Sequence, residues 1–111
     1  MSIFRNVVLN LKTEEECERA INLYKEQLSS LTNSGVLDAY ICRLSKESIL
    51  FFATIDTEEN AKKIFEVLIR WREQQKFDLI DSLVFDGPIE WHKNFGNNIK
   101  NDNITDNQIW N

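Results

Sequence analysis

The chain has 111 residues, 42% of them hydrophobic, and a formal net charge of −5 at neutral pH. That length supports one compact core and not two, and the negative field repels phosphate backbones and anionic lipid, which argues against nucleic acid and membrane surfaces as partners. No apolar run approaches the roughly 20 residues that span a bilayer, and Ser2-Ile3-Phe4-Arg5-Asn6 after Met1 lacks the basic-then-apolar pattern of an export signal, so the expected setting is cytoplasmic.

Ile3 to Lys12 alternates in polarity and predicts a first strand, with Val7, Leu9 and Leu11 on one face and Asn6, Val8 and Asn10 on the other. Thr13 with Glu16 three residues later has the form of a capping box, each side chain satisfying a free N–H of a helix's first turn. Cys17, Ala20, Ile21, Tyr24, Leu28 and Leu31 then recur at the spacing of one buried helical stripe, and Asn33-Ser34-Gly35 ends the helix. Val36 to Leu44 predicts a second strand, and Ser45-Lys46-Glu47-Ser48 is a polar hairpin turn.

Ile49 to Ile55 is apolar on both faces for most of its length, the pattern of a strand covered on both sides. Thr57-Glu58-Glu59-Asn60 repeats the Thr13-Glu14-Glu15-Glu16 junction forty-four positions on and starts a second helix. Its stripe is Ala61, Ile64, Phe65, Leu68 and Trp71, and it is expected to end near Gln75. The acidic residues at both junctions lie near the positive end of a helix dipole, which accounts for them without an active site. Leu79 to Phe85 predicts a fourth strand, Asp86-Gly87-Pro88 a break, and Ile89-Glu90-Trp91-His92 a resumed extended path.

Residues 1–92 thus form one expected domain. From Lys93 the composition shifts: residues 93–111 hold seven asparagines and few apolar residues, Phe95, Ile99, Ile104 and Trp110 among them, the mark of a loosely docked tail or of an arm laid on a partner subunit. Cys17 and Cys42 have no C-x-x-C spacing and are expected to be small buried hydrophobes in a reducing compartment.

The order strand, helix, strand, strand, helix, strand predicts a ferredoxin-like α+β domain, βαββαβ, with a four-stranded antiparallel sheet and two helices on one face. Val8, Tyr40, Leu50 or Phe52, and Val84 would then lie on the other face. Such a surface is too apolar to stay wet, and a two-fold homodimer would bury it.

That element order, the half-apolar open face and the extension after the fourth strand resemble the dimeric α+β barrel superfamily, which includes antibiotic-biosynthesis-type monooxygenases and haem-degrading enzymes. The resemblance spans roughly residues 3 to 92. Haem-degrading members use an Asn on the first strand, a Trp and a helical histidine. Asn6 or Asn10 matches the first and Trp71 the second, but the only histidine, His92, follows the fourth strand, so no haem and no other cofactor is expected. Cofactor-independent oxygenases need only a shaped pocket with a few polar groups, for which Asn6, Asn10, Tyr40, Thr54 and Trp71 are the ligand-binding candidates.

His92, with Glu90 two residues away, is the general-base candidate by its pKa, and Tyr40 is the second catalytic candidate. No metal site is expected, since one His and two distant cysteines do not match zinc spacing and no calcium loop is present. An RNA-recognition sheet is excluded by acidity and by adjacent Phe51 and Phe52, which must face opposite ways. An amino-acid-sensing domain of this topology would carry Gly after the first strand, where Leu11-Lys12-Thr13-Glu14 has none. Two function classes follow: a binding or structural module holding a small apolar ligand, or a cofactor-independent monooxygenase-like enzyme acting on a small organic substrate.

Overall fold

The two Thr-Glu-Glu junctions set the architecture. In each, the threonine stays extended, at φ −139° for Thr13 and −136° for Thr57, and its hydroxyl accepts the backbone N–H three residues on, at 3.0 Å from Glu16 and 3.1 Å from Asn60. A strand therefore ends and a helix begins within two residues. The computed structural model describes residues 1–96 and gives β1 Ile3–Leu11, α1 Glu14–Ser29, β2 Val36–Ser45, β3 Ser48–Ile55, α2 Glu58–Gln75 and β4 Leu79–Pro88. The tail residues Ile99, Ile104 and Trp110 lie outside the described residues.

The strands form one antiparallel sheet in the order β2-β3-β1-β4, the ferredoxin-like βαββαβ arrangement with both helices on one face. Because side chains alternate along a strand, the odd residues of β1 and β3 all turn to the helices. Val7, Leu9, Leu11, Ile49, Phe51, Ala53 and Ile55 are buried there against Cys17, Ala20 and Tyr24 of α1 and Ala61, Ile64 and Leu68 of α2. Tyr24 anchors an aromatic cluster, its ring centroid 4.8 Å from Trp71, 5.6 Å from Phe51 and 6.0 Å from Phe77.

Each junction also clasps the loop that follows the other half's helix. Lys12 N–H donates to the Asp78 carbonyl (3.0 Å) and Asp56 N–H to the Gly35 carbonyl (2.9 Å). At the first clasp the Glu16 carboxylate does not close the expected capping box. It accepts the Asp78 N–H at 2.7 Å and Arg19 at 2.8 and 2.9 Å, while Arg19 donates on to the Gln75 carbonyl at 3.0 Å. At the second, Gly35 has φ +101°, and a Cβ there would come within 2.5 Å of Asp56 Oδ1 and 2.7 Å of the Asn60 side-chain nitrogen.

Three sequence expectations are corrected by pairing register. β4 does not break at Asp86: Asp86, Gly87 and Pro88 stand opposite Arg5, Phe4 and Ile3, and Ile89 N–H still donates to the Ser2 carbonyl at 2.9 Å. An edge strand tolerates proline because its outer N–H needs no partner. Val84 stands opposite Val7 and so faces the helices, leaving Leu83 and Phe85 for the open face. Cys42, opposite Leu50, is exposed on that open face, whereas Cys17 is buried as expected. Among the described residues no helix is long and apolar enough to cross a membrane.

Candidate functional site

The even residues of β1 and β3 build the open face. Opposite one another across the strands, Asp38, Tyr40 and Cys42 of β2, Leu50, Phe52 and Thr54 of β3, Phe4, Asn6, Val8 and Asn10 of β1, and Asp81, Leu83 and Phe85 of β4 share it. Three aromatic rings cross it in a row: the Phe52 centroid is 6.4 Å from that of Phe4 and 6.0 Å from that of Tyr40. Tyr40, Leu83 and Phe85 are 55%, 59% and 45% exposed.

After Pro88 the chain leaves the edge and runs beneath the open end of this face. Ile89, Glu90, Trp91 and His92, together with Phe4, Asn6, Asp38, Tyr40, Phe52 and Thr54, border a shallow concavity of about 630 Å³. Its floor is aromatic, and its polar side-chain groups are one amide, two hydroxyls, the two carboxylates of Asp38 and Glu90, one imidazole and the Trp91 indole N–H. Thr54 Oγ1 and Asp38 are 3.5 Å apart, at the outer limit of a hydrogen bond. The dish can hold a flat apolar body on its floor and hydrogen-bond its rim.

Of the sequence candidates, Asn6, Tyr40, Thr54 and His92 border this one concavity. Asn10 does not. It lies at the opposite end of β1, where its side chain donates to Asp81 and accepts from Ser48. Trp71 is on the other side of the sheet, edge-on to Tyr24 and Phe77 in the core, so the five ligand-binding candidates do not form one pocket. Among the described residues no three His, Cys, Asp or Glu side chains are grouped as metal ligands.

A second, much smaller cavity of about 20 Å³ lies between α2 and the sheet, lined by Arg5, Val7, Tyr24, Phe51, Leu68, Ile69 and Arg72. Arg5 stands in the inward-facing series of β1, the one cation among Ile3, Val7, Leu9 and Leu11. Its side chain is 11% exposed, its guanidinium sits 4.0 Å over the Phe65 ring, and its nearest carboxylate, Asp86, is 3.6 Å away. Burial pulls the Arg5 pKa down, Asp86 pushes it back up, and the charge of Arg72 lowers it further. Burial raises the Tyr24 phenol, against the pull of Arg72 and Arg5. Neither arginine was singled out in the sequence, although a lone charge at an inward position of an apolar strand was the available signal.

Comparison with known proteins is informative at the level of fold. No family model matches this chain, and no curated protein matches it. Among solved structures it is similar to a dimeric ferredoxin-like protein from an uncultured marine organism, at 16% identity and TM-score 0.64 over 84% of this chain and 93% of that one. It is also similar to a candidate antibiotic biosynthesis monooxygenase from Deinococcus radiodurans, at 11% identity and TM-score 0.65 over 85% and 98%. A Dabb family protein with a ferredoxin-like fold from Mesorhizobium loti aligns at 15% identity and TM-score 0.53 over 80% and 98%.

Proposed function

We propose that this chain, whose ferredoxin-like fold is shared with those structures, is a homodimeric binding module that assembles through the open face of its sheet. A small apolar ligand lies against Phe4, Tyr40 and Phe52 at the joint. The observation that carries this reading is the open face itself: Tyr40, Leu83 and Phe85 stand largely in water beside half-buried Phe4, Val8, Leu50 and Phe52. A contiguous apolar surface of this kind marks an interaction site, and a two-fold axis through it would cover both copies at once. The dimeric state of a similar ferredoxin-like protein supports the same assembly.

The enzyme alternative, a monooxygenase-like activity on a small organic substrate, draws on a similar solved structure. It has less support from the residues, since Trp71 is separated from Asn6, Tyr40 and Thr54 by the sheet. Light scattering at micromolar concentration tests the assembly: twice the chain mass is expected, and a monomer would remove the reading. Native mass spectrometry of the same sample tests the ligand through a co-purifying mass on the dimer.

A further inference from the structure

The strands sort their charges by side of the sheet. They hold two cations, Arg5 and Arg43, and both turn to the helices, where Arg5 meets Asp86 and the Phe65 ring and Arg43 meets Glu18 of α1. Of the charged strand residues the open face keeps only Asp38 and Asp81, and the segment after β4 adds Glu90 to the dish that Asp38 borders. Among the described residues no lysine or arginine borders that dish; Lys93, the next cation along the chain, lies 5.0 Å over the Phe95 ring. Among the same residues neither Asp38 nor Glu90 forms an ion pair, and Asp38 receives only the long contact from Thr54. The rings of Phe4, Tyr40, Phe52 and Trp91 line the dish as well, and the face of an aromatic ring attracts positive charge through its quadrupole.

We propose that the ligand of this dish is an organic cation, a protonated amine or quaternary ammonium on a flat apolar body, with its charge beside Asp38 and Glu90 and its body on the Phe4, Tyr40 and Phe52 rings. The inference rests on the reading of the open face as a dimer joint with a ligand site, and adds to it the charge of the occupant. An isologous joint brings the same face of a second copy against the first, so the second set of strands supplies further carboxylates and no cation. Carboxylates drawn out of water need a positive partner, and like charges facing one another across the joint repel. A cation in the dish answers both, and the rings hold it more firmly once water is excluded. An anionic ligand meets the same carboxylates as repulsion, which sets the selectivity.

The test is a titration of the intact protein with benzylamine, which is protonated at neutral pH, with benzyl alcohol and with sodium benzoate, probes that share one ring and differ in charge. Ionic strength is matched, and the Trp91 indole N–H and Asn6 side-chain amide resonances are followed. The amine is expected to saturate with a dissociation constant of about 1 mM or tighter, about fivefold or more below that of the alcohol, and benzoate is expected not to saturate. Asp38→Asn combined with Glu90→Gln should remove the preference for amine over alcohol, with circular dichroism confirming the fold, whereas Asp81→Asn at the far end of the face should retain it. If the alcohol or benzoate binds as tightly as the amine, the ligand site stands and the cation proposal is overturned. A loss of preference in Asp81→Asn as full as in the double variant assigns it to the general field of the face, and overturns the proposal too. Saturation by none of the three overturns the ligand site and this proposal together.

Discussion

Phe51 and Phe52 are adjacent in sequence and stand on opposite sides of one sheet. Phe51 is 2% exposed, packed on Tyr24 beneath the helices, while Phe52 is half-buried in an aromatic row on the face that bears no helix among the described residues. The helix side is finished: its side chains are buried, its loops are clasped, and no buried side-chain polar atom among the described residues lacks a partner. The other side has an equally strand-like backbone and comparable apolar content, yet stays open. Folding free energy is thus gathered on one face, and the second face is the one on which the proposed assembly rests, where apolar surface is useful because it is unsatisfied.

Substitutions should separate the two faces. Phe51→Ala, which leaves a cavity in the core, is expected to cost about 3 to 5 kcal/mol of folding stability in chemical denaturation. A cost near 1 kcal/mol would mean that the helix side is not the main core. Gly35→Ala, at a left-handed position with no room for a Cβ, should cost about 1 to 3 kcal/mol by the same measurement. A neutral result would show that the clasp between Asp56 and Gly35 does not hold the helix side together.

On the open face the expectation reverses. Leu83→Asp should change folding stability, measured at concentrations where the chain is monomeric, by less than about 1 kcal/mol, while abolishing the dimer in light scattering. If both quantities fall together, assembly and folding are one process and the contrast between faces disappears. The smallest effect is read from its pH dependence. Hydrogen bonds from Arg19 and from the Asp78 N–H hold the Glu16 carboxyl at about 2 against an ordinary 4.5. Its contribution is therefore complete above about pH 4.5 and is lost as pH falls toward 2. Glu16→Gln should flatten that part of the stability curve, lowering stability above about pH 4.5 and leaving it little changed near pH 2, as pH-dependent thermal melts would show.

What the sequence discloses follows from how local each feature is. The two threonine caps, the helical stripes and the alternation of β1 are written within a few residues, and the structure has them where the pattern predicts. The parity of β4 is not local. Whether Val84 or its neighbours Leu83 and Phe85 face the helices depends on pairing with Val7 and Val8, some seventy-five positions away. Cys42 went astray for a related reason, since its side follows from standing opposite Leu50. Asn6, Tyr40, Thr54 and His92 could be chosen by residue type, but that a sheet divides them from Trp71 is a property of three dimensions. Arg5 was the legible exception: a charge among inward-pointing aliphatics calls for partners, and the structure supplies the Asp86 carboxylate and the Phe65 ring.

The strand order carries a consequence for biosynthesis. β1 is the first strand to be made, yet it lies inside the sheet, hydrogen-bonded to β3 on one side and β4 on the other. Only the β2-β3 hairpin can pair with a sequence neighbour as the chain emerges. β1 can join β3 only after the β2-β3 hairpin has been made, and its other edge waits for β4 to leave the ribosome, at the loop-closure cost that slows chains with distant pairings. Until β4 arrives, one edge of β1 has no strand to pair with. A pause in translation before β4 is therefore expected to lengthen the time for which that edge stays open, a consequence of the order β2-β3-β1-β4.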